Sequence, residues 1–210
     1  MSNWYNHYKE KINKYGGIHN YKKHKIAYKL PLLELVKKYA KNMNIMEVGS
    51  GVGISLIELN NQGYHVIGVE SDIAMFNLSM SFAKEFNSDI KILNKDLMTL
   101  DYSKYNIDVI FSNGVMEHFS DSEIIDIINN QLKSNAHIII SIPTNYFSSD
   151  MAYNGDERFL SPKIWINIIN KTNGKIHEMY SYDDKKIQIH KISNIKYLKT
   201  IPRFFIFIIK

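Results

Sequence analysis

The stretch Ile45-Met46-Glu47-Val48-Gly49-Ser50-Gly51-Val52-Gly53 decides the fold. Ile45 to Val48 read as a short buried strand, glycines follow at 49, 51 and 53, and an amphipathic run then extends from Ile54 to Asn60. The order is strand, turn, helix. In an open α/β sheet the ligand lies at the carboxyl ends of the strands, and the turn after the first strand approaches it most closely. Glycine permits positive φ there and removes the Cβ that would hold a ligand off the backbone. The spacing narrows the ligand. A dinucleotide fingerprint, G-x-G-x-x-G/A, asks for a small residue at 54, where Ile54 stands, and the phosphate-loop sequence G-K-[ST] is missing. Glu47, two residues before the first glycine, would repel a pyrophosphate and attract an ammonium group, directly or through water. That favours a cationic, phosphate-free nucleoside.

Working outward, apolar runs and polar helical stretches alternate. Strands are expected at Tyr64–Val69, Ile90–Leu93, Asp108–Ser112 and His137–Ile142, and helices at Ile73–Phe86 and Ser122–Lys133, the last capped by Asp121 or Ser120. The strands are short continuous apolar runs, as expected where helices cover both faces of a parallel sheet. Upstream, Pro31 is expected to begin a helix carrying Leu32, Leu33, Leu35, Val36 and Tyr39 on one face and ending near Asn42. Downstream, a helix is expected over Pro162–Lys171 after Ser161, then a strand near Lys175–Tyr182 and an antiparallel closing strand Arg203–Ile209. Residues 183–202 receive no assignment. No repeat or flexible linker interrupts the chain, so one domain over 1–210 is expected, with a helical preface or lid over 1–42 and an α/β core over 43–210.

Two further acids fall at strand ends. Glu70 lies seventeen residues past Gly53, suited to accept hydrogen bonds from both hydroxyls of a ribose. Asp96, in Asn94-Lys95-Asp96-Leu97, is suited to accept from an exocyclic adenine amine while Leu97 offers its backbone and an apolar wall. Taken singly, each has a plainer reading: glycines that tighten a turn, a surface acid, a cap. After these comes Asp108-Val109-Ile110-Phe111-Ser112-Asn113-Gly114-Val115-Met116-Glu117-His118-Phe119.

With these stations in this order, the chain resembles the class I S-adenosylmethionine-dependent methyltransferases, especially their small-molecule branch. The resemblance covers about residues 30–170 and continues weakly through Gly155-Asp156-Glu157-Arg158-Phe159 and Trp165. It implies a Rossmann-like open, mostly parallel sheet and a methyl transfer that releases S-adenosylhomocysteine. It implies that Gly49, Gly51 and Gly53 line the methionine part of the cofactor, Glu70 the ribose, Asp96 and Leu97 the adenine, and Asn113 the cofactor's edge, with Glu47, Ser50, Ser71 and Val115 also in the cofactor site.

Methyl transfer from a sulfonium is a direct displacement with a good leaving group, so holding acceptor and methyl in line supplies most of the catalysis. A hydroxyl or protonated amine must also lose a proton, and His118, after the fourth strand, is the candidate base. The alternative for His118 is to orient the loop with Glu117. No metal site is expected, because two adjacent ligands without a third in view do not make one. The aromatic opening (Trp4, Tyr5, His7, Tyr8, Tyr15) and the stretch Tyr146–Phe159 are candidates to close an acceptor pocket, with Tyr5, Tyr8, Tyr146 and Arg158 touching substrate. Ordinary packing of an N-terminal helix fits the opening equally well. Asp156, Glu157 and Arg158 either pair with one another or meet the acceptor.

Composition removes several classes. With no cysteine among 210 residues, disulfide frameworks, thiol nucleophiles and Cys-based metal sites are excluded. The longest unbroken apolar candidate, Phe204 to Ile209, is far short of a membrane span, and Met1-Ser2-Asn3-Trp4 opens no signal peptide, so a soluble cytoplasmic protein is expected. Net charge is +8 over residues 1–44, −9 over 45–170 and +6 over 171–210. Basic ends can attract nucleic acid, but only Arg158 and Arg203 are arginines, and the 44-residue preface is too short for an RNA module. Ser112-Asn113-Gly114-Val115 also departs from the Asp/Asn-Pro-Pro-Tyr/Phe sequence of adenine- and glutamine-directed enzymes. The expected partner is a small-molecule acceptor, with the chain a monomer or homodimer. The rival readings are an RNA-directed methyltransferase working through the basic ends and a cofactor-binding protein without turnover.

Overall fold

The computed structural model describes residues 3–148, 151–152, 155–183, 186–197 and 200–210. The chain divides into two compact units, Met1–Leu100 and Asp101–Lys210.

In the first unit, helices α1 (Asn3–Lys14) and α2 (Ile18–Tyr39) precede β1 (Asn44–Val48), α3 (Ile54–Asn61), β2 (His65–Val69), α4 (Ile73–Glu85) and β3 (Lys91–Leu93). The strands run parallel with β2 in the middle, Met46 opposite Ile67 and Gly68 opposite Ile92. Every residue of β1 after Asn44 is buried, which explains its continuous apolar reading. Gly68 is required by close packing: a Cβ there would stand 2.6 Å from Leu56 Cδ1 and 2.9 Å from Ser50 Oγ. Helix α4 starts where Asp72 accepts from the backbone N–H groups of Ala74 and Met75 at 2.8 and 3.2 Å.

Pro31 does not begin a helix. It lies inside α2, which starts at Ile18 and ends at Tyr39 rather than near Asn42. Proline fits helical φ but removes one hydrogen bond and crowds the preceding turn, at a cost of about 3 kcal/mol. Burial on both sides of it, by Tyr21 and Ile26 before and by Leu32, Leu33, Leu35, Val36 and Tyr39 after, offsets that cost. Trp4, Tyr5, His7 and Tyr8 of the aromatic opening lie in α1, and Tyr15 follows it in a turn. Tyr8 of α1 meets Tyr21 of α2 edge to face at 6.4 Å.

The second unit holds β4 (Val109–Asn113), α5 (Asp121–Leu132), β5 (His137–Pro143), α6 (Pro162–Ile169), β6 (Ile176–Asp183), β7 (Gln188–Lys191) and β8 (Phe204–Ile209). Strands β4 and β5 are parallel; β8 pairs antiparallel with β5 on one side and β6 on the other, and β7 pairs antiparallel with β6. The apolar run Phe204–Ile209 is thus a central strand, buried from Phe205 to Ile209. Part of the unassigned stretch 183–202 is the mostly exposed edge strand β7, and Ile195–Tyr197 forms a 3-10 turn; residues 184–185 and 198–199 lie outside the described set. Ser120, rather than Asp121, caps α5: Glu123 N–H donates to its hydroxyl, and the Glu123 carboxylate accepts from Ser120 N–H at 2.8 Å. Ser161 caps α6, with Pro162 at its first turn.

Candidate functional site

In the first unit the glycine turn has the backbone its sequence demands. Gly49, Gly51 and Gly53 have φ of +64°, +55° and +71°. Glu70, just past β2, is clasped by backbone: Gly51 N–H donates to its Oε2 and Asp72 N–H to its Oε1, both at 3.0 Å. Burial pushes its carboxyl above the usual carboxylate range, and these backbone donors pull the other way. Each oxygen retains further acceptor capacity, so the carboxylate is fixed in place and can still accept hydrogen bonds. Asn94, to which sequence reasoning gave no role, donates to the carbonyls of Glu70 and Ser71 at 2.9 and 3.0 Å and ties the end of β3 to the end of β2. Its position beside the recognised Asp96 was the available signal.

Glu47 is buried beside the turn, and the ammonium at its side belongs to Lys29 of α2, whose Nζ stands 3.6 Å from Oε1 and donates to Ser55 Oγ at 2.8 Å. Burial raises the Glu47 carboxyl, with Lys29 opposing. Glu47 Oε2 and Ser50 Oγ are buried without a hydrogen-bond partner among the described residues. Tyr8 lies over the turn: a Cβ on Gly51 would be 3.0 Å from its hydroxyl oxygen. Burial first, then the charges of Glu47 and Glu70, raise the Tyr8 hydroxyl well above its ordinary value. Tyr5, by contrast, carries Lys9 Nζ 5.0 Å from its ring centre. Asp96 turns its carboxylate onto Met98 N–H at 2.8 Å, and Leu97 is buried behind it.

In the second unit, Asn113 ends β4 and Gly114, at φ +70°, donates its N–H to Ser141 O at 2.9 Å. After Val115 comes a 3-10 turn, Met116–His118. Glu117 is buried, its Oε2 without a hydrogen-bond partner among the described residues, and its carboxyl is pushed up to about 8, by burial first and then by the charges of Glu157 and Asp156. His118 Nδ1 stands 2.9 Å from Asp156 Oδ1. Glu157 Oε2 accepts from Gly155 N–H at 3.1 Å. Arg158, expected at the substrate, gives its guanidinium to Phe119 O and the Asp121 carboxylate, and its backbone N–H to Glu117 O at 2.9 Å. It therefore pairs with neither Asp156 nor Glu157 in these contacts. Tyr146 is exposed and stacks on Arg203, whose guanidinium carbon is 5.0 Å from the ring centre. Of the expected closing stretch Tyr146–Phe159, residues 149–150 and 153–154 lie outside the described set.

A carboxylate held by backbone donors beside a left-handed glycine turn, at the ends of parallel strands, is the geometry the first unit presents. The chain belongs to the methyltransferase domain family, which it matches over residues 19–178. The methyltransferase CcbJ from Streptomyces caelestis is similar in structure at TM-score 0.66 and 14% identity, over 88% of this chain and 89% of that one. A S-adenosylmethionine-dependent methyltransferase from Clostridium acetobutylicum gives TM-score 0.68 at 9% identity, over 89% and 91% of the two chains. Magnesium protoporphyrin IX methyltransferase from Synechocystis, solved with bound S-adenosylmethionine, gives 0.59 at 14% identity, over 90% and 80%. No curated protein sequence matches the chain. The fold is the Rossmann-like α/β fold of class I methyltransferases, with parallel strands and an antiparallel C-terminal set, and the cofactor is S-adenosylmethionine. Among the described residues no helix is long and apolar enough to cross a membrane.

Proposed function

We propose that the chain moves the methyl group of S-adenosylmethionine to an oxygen or nitrogen of a small-molecule acceptor by direct displacement, releasing S-adenosylhomocysteine. The observation that carries the cofactor half is Glu70, fixed by two backbone donors beside Gly51. In this reading Glu70 and Ser71 receive the ribose. Glu47, Gly49, Ser50, Gly51 and Gly53 line the methionine part, Asp96 and Leu97 the adenine, and Asn113 and Val115 the cofactor's edge. A pre-positioned acceptor binds without paying again to order its side chain. Residues 1–42 serve as a helical lid of one methyltransferase domain, and the position of Tyr8 over the glycine turn supports that. Where the acceptor must lose a proton, His118, paired with Asp156, is the group to take it.

The small-molecule half is supported by two of the structural neighbours, a magnesium protoporphyrin IX methyltransferase and a geranyl diphosphate C-methyltransferase from Streptomyces coelicolor. The scarcity of arginine in the basic ends supports a reaction independent of nucleic acid. The test is thermal unfolding with S-adenosylmethionine and with S-adenosylhomocysteine. At a hundredfold excess over the dissociation constant, linkage stabilises by about 2.7 kcal/mol, and both ligands should raise the midpoint. A panel of hydroxyl and amine metabolites, followed by the release of S-adenosylhomocysteine, then identifies the acceptor. Turnover on RNA alone would overturn the small-molecule reading.

A further inference from the structure

We propose that His118, Asp156 and Glu157 form a site for one divalent first-row cation, next to the buried Glu117. Each of the three offers one ligand atom, and these atoms all lie within 4.8 Å of one another. The closest pair, His118 Nδ1 and Asp156 Oδ1, is 2.9 Å apart. Adjacent ligands bound about 2.1 Å from one octahedral cation stand about 3 Å apart, so this pair already has the spacing of neighbouring ligands.

Glu117 supplies the second, independent observation. It is 4% exposed, and its Oε2 meets no hydrogen-bond partner among the described residues. Its backbone carbonyl accepts from Arg158 N–H at 2.9 Å, which sets it beside the turn that carries Asp156 and Glu157. Three acids therefore gather near one imidazole, and the guanidinium of Arg158 is turned to Phe119 O and Asp121. A buried carboxylate oxygen without a donor is costly unless a proton or a cation meets it. The turn that delivers the two exterior ligands is built for it, with Gly155 at φ +80° and its N–H on Glu157 Oε2.

The donor set selects the ion. Calcium and magnesium prefer all-oxygen sites, whereas one imidazole with carboxylates suits manganese or zinc. What the cation would do rests on the proposed function: it would bind an oxygen of the acceptor and lower its pKa so that its proton passes to water, His118 acting as the base only in the metal-free protein. The binding itself rests only on the cluster.

The test is equilibrium dialysis of the full chain against manganese chloride and, separately, zinc chloride, with metal counted by elemental analysis and bound manganese read by electron paramagnetic resonance. Wild type should take up one equivalent of at least one of the two. Asp156→Asn with Glu157→Gln, and separately His118→Asn, should weaken uptake at least about tenfold, the scale of losing a group that holds a metal. Titration of each variant with S-adenosylhomocysteine reports whether the fold and the cofactor site survive, so failure of the metal site and failure of the methyltransferase reading are distinguishable. Uptake of neither ion by wild type, or equal uptake by wild type and the folded variants, overturns the proposal.

Discussion

Glu70 and Glu117 are both acids withdrawn from water, and their surroundings differ in kind. Both oxygens of Glu70 meet backbone N–H groups at 3.0 Å, so the carboxylate is anchored and can still accept from hydroxyls. Glu117 is buried with one oxygen lacking a donor among the described residues, and its charged neighbours, Glu157 and Asp156, are of its own sign. The first environment suits a neutral donor ligand. The second suits a proton or a cation. Their construction differs too: residues 47–72 assemble the first around a rigid turn, whereas the second joins His118 to Asp156 across 38 residues.

The first region should break hardest where its packing is filled. Gly68→Val puts a branched side chain where even a Cβ would stand 2.6 Å from Leu56, and should destabilise by about 1–3 kcal/mol in urea unfolding. In the second region Gly155 has nothing within 4 Å of an added Cβ, so Gly155→Ala meets only the left-handed backbone penalty at φ +80°, about 1 kcal/mol. Equal losses at the two glycines would erase the distinction between a packed strand and an open turn.

Arg158 sharpens it next. Because its guanidinium holds Phe119 O and Asp121, Arg158→Ala should lower stability by about 1 kcal/mol, the partial exposure of the pair limiting the effect. A double-mutant cycle with Asp121→Asn checks it: the coupling should account for most of the loss. Were Arg158 a substrate residue alone, stability would not move.

A smaller effect follows from pH. Burial raises Glu70 in the folded protein, so the fold holds that proton longer than the unfolded chain does. The stability it contributes is fully present below the unfolded carboxylate value and is lost as pH rises through the folded one. Affinity for S-adenosylhomocysteine should run the opposite way, rising as Glu70 ionises. Glu70→Gln should flatten both trends, measured by urea unfolding and by calorimetric titration across pH 4–8.

The glycine turn and Glu70 were legible because their chemistry is local: the spacing from Gly49 to Glu70 stays within one strand–helix–strand unit. The order of elements was legible for the same reason, and boundaries shifted by only a residue or two where caps such as Ser120 and Asp72 decide them. Pro31 misled because its local rule was outweighed by burial along the whole of α2. Strand β7 was not legible: a mostly exposed edge strand carries no continuous apolar run. Asp156 and Glu157 read as an ambiguous charge cluster because what they face is set by a turn, and no periodicity links that turn to His118.

The most direct measurement is calorimetric titration of S-adenosylhomocysteine into wild type and Glu70→Ala at neutral pH. Two hydrogen bonds to a charged acceptor are worth about 3 kcal/mol together, so binding to wild type should weaken about a hundredfold in the variant while its circular dichroism stays unchanged. Equal affinity in the two proteins, or no heat of binding in either, would contradict the assignment of Glu70 as the ribose acceptor.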